Sequence, residues 1–295
     1  MTWAAEKLRG NAAAPILTPP KNTTGIRSRI SWGNQVKSRQ HRVSIFACAL
    51  VLAGVYAPPA VSQTAEVKEK PPMYTYVSNW VLPRARWADL EKGSAATNKV
   101  MEQAMDGGTL VGYGRDETLV HTADGATQDA WWSSMSMAGL MNVLDEIYKS
   151  GNATTSVLGA ATKHWDGIYV SRYYNWHPGA KRGAFTHIAS YKLKADAPDD
   201  AVDVMSKNFI VPLMEKLLAD GTLLEYEIDE ETIHTEAPGT FWLDFICVNA
   251  DGLDKVNAAL GATFKANAFA GPALFSMVDF SAHRDELMRT NAAYK

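Results

Sequence analysis

The chain reads as an α+β fold: two tandem ferredoxin-like βαββαβ units whose antiparallel sheets pack face to face as a fused α/β barrel. Three observations carry this expectation. Met101 to Thr122 (MEQAMDGGTLVGYGRDETLVHT) returns without a gap as Met214 to Thr235 (MEKLLADGTLLEYEIDEETIHT), 113 positions later, with ten of 22 positions identical. Ordinary residue frequencies would give roughly one or two. The same spacing carries Gly139, Leu140 and Val143 onto Gly252, Leu253 and Val256. Second, strand-like and helix-like segments follow one order in both halves. Third, a ferredoxin-like unit leaves one sheet face bare, and a chain with two copies can bury that face against itself.

In the first half the pattern predicts a strand at Tyr74 to Val81, a helix from about Trp87 to Met105, strands at Leu110 to Arg115 and Trp131 to Met137, a helix from Gly139 to Tyr148, and a strand at Gly167 to Tyr173. The second half begins with a strand at Phe185 to Leu193. Asp199 and Asp200 then suit the positively polarised start of a helix, and Val202, Met205, Phe209, Leu213, Leu217 and Leu218 fall on one of its faces. Pro212 should kink or delay this helix, and Gly221 should end it. Strands follow at Leu223 to Ile228 and Phe241 to Val248, then a helix from Asp251 to Leu260 and a last strand at Leu274 to Phe280. The expected divisions are an N-terminal extension with signal peptide at 1–62, a first unit at 73–174, a linker at 175–184, and a second unit with a C-terminal tail at 185–295.

Ahead of the repeat, Lys37, Arg39, His41 and Arg42 lead into the apolar run Val43 to Ala57 and the small-residue site Ala60-Val61-Ser62. This is the pattern of a cleaved secretory signal, and the run is shorter than the ~20 residues of a membrane span. Residues 1–40 are either a long basic lead or the product of a start codon placed too far upstream. An exported protein, periplasmic or extracellular and without a stable membrane anchor after cleavage, is the expectation. From Gln63 onward 21 Lys and Arg face 31 Asp and Glu, an acidic balance that argues against a nucleic-acid partner. Only Cys247 remains there, so no intrachain disulfide can form.

With this element order the chain resembles the dimeric α/β-barrel superfamily, which includes antibiotic-biosynthesis monooxygenases, EthD-like and NIPSNAP-like proteins, and haem-handling relatives such as chlorite dismutases. The resemblance spans nearly all of the chain after the leader, with fused halves in place of a subunit pair. It implies a monomer or homodimer and a small-molecule ligand. Haem-handling members use a histidine on a helix as axial ligand. Leu140 to Tyr148 and Leu253 to Leu260 contain none, which leaves His164 just beyond the first.

Residues identical in both halves, such as Tyr113 and Tyr226, Asp116 and Asp229, and His121 and His234, read as scaffold. Positions that differ are free to serve a site. Alternation places Tyr76, Ser78 and Trp80 on one face of the first strand and His187, Ala189 and Tyr191 on the matching face in the second half, the expected barrel interior. Trp242 and Asp244 share a face opposite the uniformly apolar Phe241, Leu243, Phe245 and Cys247. Trp131 corresponds by spacing to Asp244. The expected ligand-binding residues are thus Tyr76, Trp80, Trp131, Tyr191 and Trp242, with Arg172 from the aromatic segment Arg172 to His177. The expected function is binding of a small hydrophobic or aromatic molecule in the barrel. The alternative is a monooxygenase-type enzyme, cofactor-free or haem-dependent, with His187 as general base oriented by Asp244 or Glu225. No spacing of His, Asp or Glu suggests a metal site.

Overall fold

The computed structural model describes residues 67–151, 157–235, 238–267 and 270–295. The basic lead, the apolar run and Ala60-Val61-Ser62 lie outside the described residues. Among those described, no helix is long and apolar enough to cross a membrane.

Eight strands close into one antiparallel barrel: β1 (Met73–Val81), β2 (Gly112–Val120), β3 (Gln128–Ser134), β4 (Lys163–Trp176), β5 (Gly179–Lys192), β6 (Leu223–Glu231), β7 (Thr240–Cys247) and β8 (Arg284–Tyr294). Around the barrel they run β1-β3-β2-β8-β5-β7-β6-β4. Every strand is paired on both sides, so no edge is left to recruit another chain. The first four strands lie in the order β4-β1-β3-β2 and the last four in the order β8-β5-β7-β6. β2 pairs with β8, and β4 with β6, to close the ring.

Helices α1 (Trp87–Gly93), α2 (Ala95–Asp106) and α3 (Met137–Lys149) pack outside the first four strands. Helices α4 (Ala201–Met205), α5 (Val211–Ala219), α6 (Ala250–Ala266) and α7 (Ala270–Met277) accompany the last four. Beneath α2 and α3 lie Met101, Leu110, Trp132, Leu140 and Val143, and beneath α4 to α7 a larger core around Met205, Met214, Leu218, Phe241 and Val256. Helix termini match between the halves. Ser136 and Asn249 each cap a helix by accepting from the backbone N–H three residues on, at 3.1 Å in both cases. Gly108 and Gly221, both at φ +76°, follow the ends of α2 and α5, where a left-handed residue is needed and glycine supplies it without steric cost.

Three expectations are corrected. The single helix expected from Trp87 to Met105 is two, divided at Ser94. Residues 175–184 are not a linker: Asn175 and Trp176 end β4, His177 and Pro178 make the turn, and β5 starts at Gly179. Both strands belong to the barrel wall, since Trp176 and Ala184 pack in its floor. The last strand is β8, whereas Leu274 to Met277 form the end of α7 and Phe280 opens a 3-10 turn. The short apolar run is rich in helix formers, and the true strand hides its inward alternation, Met288, Thr290, Ala292 and Tyr294, among small and polar residues. The delay expected at Pro212 is present: a π-helical turn, Ser206–Ile210, separates α4 from α5 and accommodates a residue that has no N–H to donate.

Candidate functional site

The barrel encloses a chamber of about 1020 Å³. Its floor is a packed cluster of Trp131, Trp176, Tyr294, Ile246, Ala184 and Ala292, in which Trp131 and Trp176 sit 5.6 and 5.5 Å from Tyr294, ring centre to ring centre. Its mouth lies among the β2–β3 loop (Thr122, Asp124, Gly125), Lys163, Thr240 and Arg284. Two glycines make the aromatic floor possible. A Cβ on Gly114 would stand 2.6 Å from the Trp131 indole, and one on Gly112 would stand 2.7 Å from the Tyr294 ring. The 113-residue spacing sets Glu225 and Glu227 opposite these glycines and Asp244 opposite Trp131. At these three positions one half contributes an indole laid over bare backbone, and the other contributes carboxyls.

Alternate residues of each strand face inward. From β1 these are Thr75, Val77 and Asn79, and from β5 Thr186, Ile188 and Ser190. The inward face is thus one residue out of phase with the sequence expectation in both first strands. Tyr76 turns outward and stacks on Trp132 at 4.4 Å beneath the helices. Trp80 also faces out, stacked on His164 at 5.3 Å. His187 stacks on Phe245 at 4.8 Å and reaches Asp285 at 3.4 Å, outside the barrel. Burial holds its pKa below the ordinary histidine range, and the Asp285 carboxylate opposes this. Tyr191 borders the chamber mouth, but its ring is stacked between Phe241 at 5.3 Å and His283 at 4.4 Å. Arg172 lies on the outer surface, 4.0 Å from Glu69 and 3.9 Å from Glu230. Trp131, Trp242, Glu225 and Asp244 do share the chamber. His187 and Asp244 therefore cannot act as one catalytic pair.

What the residues did not disclose is the number of acids inside. Asp116, Asp129, Glu225, Glu227 and Asp229 are buried in the chamber wall, with Asp244 and Glu286 partly open to it. No salt bridge among the described residues reaches any of them. Burial, and then the proximity of the other carboxylates, pushes Asp129, Glu225, Glu227 and Asp244 well above the usual carboxylate range. Asp229, also raised by burial but relieved by the Ser171 hydroxyl, reaches about 6. Asp116 and Asp129 are direct cross-strand partners. Asp116 accepts from the Trp131 indole N–H at 3.0 Å, and the Thr186 and Thr290 hydroxyls bond to one another. Burial raises both carboxyls, Asp129 further than Asp116, because the Asp116 carboxylate beside it adds to the effect of burial. One oxygen each of Asp116, Asp129, Glu225 and Asp244 has no hydrogen-bond partner.

A signal for this acidic wall existed. Glu225, Glu227 and Asp229 alternate with Leu224, Tyr226 and Ile228, a period-two strand whose polar face is entirely anionic. The identity of Asp116 and Asp229 across the repeat pointed instead to scaffold. His121, by contrast, does sit at a hairpin, its Nδ1 2.6 Å from the Thr122 carbonyl oxygen.

No family model matches the chain, and no curated protein does. Solved structures share its fold. A candidate monooxygenase from Lactobacillus acidophilus NCFM superposes with a TM-score of 0.54 at 10% identity, covering 76% of this chain and 97% of its own. A candidate monooxygenase from Fusobacterium nucleatum gives 0.53 at 9% identity, covering 77% and 95%. A candidate chlorite dismutase aligns at 0.43 and 9% identity over 74% and 94%. At such identities the likeness is one of fold.

Proposed function

We propose that the protein binds a small molecule with an aromatic or similarly apolar body inside the barrel. The observation that carries this is the chamber itself: about 1020 Å³ of space walled by Trp131, Trp242 and Tyr169, where a barrel of this strand number is ordinarily filled by side chains. Tyr169 meets Trp242 edge to face at 4.9 Å, a preformed aromatic corner against which a flat ligand can pack. Calorimetric titration of the full chain with 2-phenylethanol tests the reading. Saturable one-to-one binding is expected, lost in Ile188→Trp, which fills the chamber, and unchanged in His187→Ala, which lies outside it. No saturable binding, or binding indifferent to Ile188→Trp in a folded variant, would overturn it.

A second reading is favoured by the Asp116–Asp129 pair and by the fold shared with candidate monooxygenases. In it the chamber is the active site of an enzyme, and the pair holds and moves a substrate proton, with Asp116 as acceptor and Asp129 as donor. Oxygen uptake in the presence of 1-naphthol, abolished by Asp129→Asn, would establish that role, and its absence from the wild-type chain would remove it. Haem does not fit the residues present. Among the described residues no histidine lines the chamber, and its carboxyls would repel the propionates of the macrocycle. His164 faces outward, against Trp80, Ser78 and Asp166.

The matching strand orders, the shared cap positions and the paired glycines support a tandem repeat of two ferredoxin-like units divided near the β4–β5 turn. We also propose export, with a mature N-terminus near Gln63. Intact-mass measurement of the exported protein checks this, and retention of residues 43–57 would refute it.

A further inference from the structure

We propose that the ligand is an organic cation, an ammonium group carried on an aromatic frame, held between the carboxyls of Glu225 and Asp244 and the faces of Trp131 and Trp242. This rests on the reading of the barrel interior as a ligand chamber and adds the charge of the ligand.

The argument starts from an imbalance. The chamber holds more carboxyls than any scaffold need explains, and among the described residues no cation offsets them at depth. The basic groups of the lining stand at the mouth and are engaged there. Lys163 pairs with Asp124 at 3.0 Å, Arg284 donates to the Ser281 and His283 carbonyls at 3.0 and 2.6 Å, and Lys192 donates to the Pro238 carbonyl at 2.6 Å. Within, Glu225 lines the chamber while only 3% exposed, and its Oε1, buried in the wall, has no hydrogen-bond partner. Burying a carboxyl in this condition costs stability unless something else completes its bonding. A guest that donates two or three N–H bonds and carries a positive charge would complete it. Water or a neutral guest would satisfy the oxygen without offsetting the accumulated negative potential, and an anion would add to it.

The chemistry of the walls selects the kind of cation. Among the described residues no three His, Cys, Asp or Glu side chains come together closely enough to hold a metal ion. The acids are instead interleaved with indole and phenol rings, which attract an ammonium through their negative faces and pack against an apolar body. The division between the halves has the same sense. Gly112 and Gly114 let Trp131 lie flat on one side, where the other side carries Glu225, Glu227 and Asp244. An arylalkylamine is the simplest molecule complementary to both.

Three probes of one size separate the possibilities: 2-phenylethylamine, 2-phenylethanol and 3-phenylpropionate, titrated calorimetrically against the full chain at pH 7.5. The amine should bind about tenfold more tightly than the alcohol, or better, as expected of a charge-assisted hydrogen bond over a neutral one. The propionate should bind more weakly than either. Glu225→Gln and Asp244→Asn, which preserve side-chain shape, should remove most of the preference for the amine and leave the alcohol unaffected, with circular dichroism showing both variants folded. If the alcohol binds and the amine binds no better, the cation is wrong while the chamber stands. An amine preference that survives both substitutions would place the cation elsewhere and overturn the assignment. If none of the three binds, the chamber reading falls and the cation with it.

Discussion

Glu225 carries a carboxyl in the barrel wall with one unpartnered oxygen, and burial drives its pKa well above the ordinary range. An acid raised in this way favours the folded state below its unfolded pKa, near 4, and that advantage is lost as pH rises through the folded value. Glu225→Gln should therefore leave stability almost unchanged at pH 4 and raise it by about 1–3 kcal/mol at pH 8. Urea unfolding at the two pH values checks both halves of the expectation, and destabilisation at pH 8 would contradict it. The residue that the proposed cation would most need is thus one that folding alone would discard. At this scale the sequence was legible where chemistry on the two strand faces differed sharply. Phe241, Leu243, Phe245 and Cys247 marked the helix side of β7, so Trp242 and Asp244 were assigned inward. β1 and β5 offered aromatics on one face and small polar or aliphatic residues on the other, and bulk misled. Tyr76, Trp80 and His187 are large because they pack outside, whereas Thr75, Val77 and Ile188 are modest because they line open space.

Among the elements, the strongest evidence of equivalence between the halves lies at helix starts. Ser136 and Asn249 stand 113 positions apart and cap α3 and α6 with the same bond to the third residue on. Replacing either by alanine should cost about 1 kcal/mol, as loss of one N-cap does, and the double variant should lose nearly the sum because the sites are separate. Equilibrium denaturation of the three variants measures this. A large loss from one cap and none from the other would mean that the match is a coincidence of sequence. Most elements were readable because repetition lets one half vouch for the other. β8 escaped because it lies beyond the region of clear identity, and its inward residues, Thr290 and Ala292 among them, make no apolar run. The segment around Tyr174 and Trp176 was mistaken for a connection because its aromatics serve the barrel floor, a contact with Tyr294 that no local pattern announces.

For the whole molecule, the expectation that two bare sheets complete one another anticipated closure, and all eight strands gain two neighbours. It did not disclose that the interior would be hollow and acidic. Acids come from both halves, Asp116 and Asp129 from the first and Glu225, Glu227, Asp229 and Asp244 from the second, and at three positions glycine and tryptophan on one side answer glutamate and aspartate on the other. The acids on β2, β3, β6, β7 and β8, namely Asp116, Asp129, Glu225, Glu227, Asp229, Asp244 and Glu286, are all raised by burial, with Asp229 at about 6. Together they should make the ligand-free protein melt at lower temperature as pH climbs from 4 toward 8, and a bound cation should offset that decline by favouring their charged forms.

The central claim is that the barrel interior is the binding site, and a bromine atom can report it directly. Crystals of the protein grown with 4-bromophenethylamine, measured at the bromine absorption edge, should show an anomalous peak inside the barrel, in contact with Trp131 or Trp242 and with the amine end toward Glu225 and Asp244. A peak confined to the outer surface, for instance beside His187 and Asp285, or a chamber without one at saturating ligand, would contradict the account.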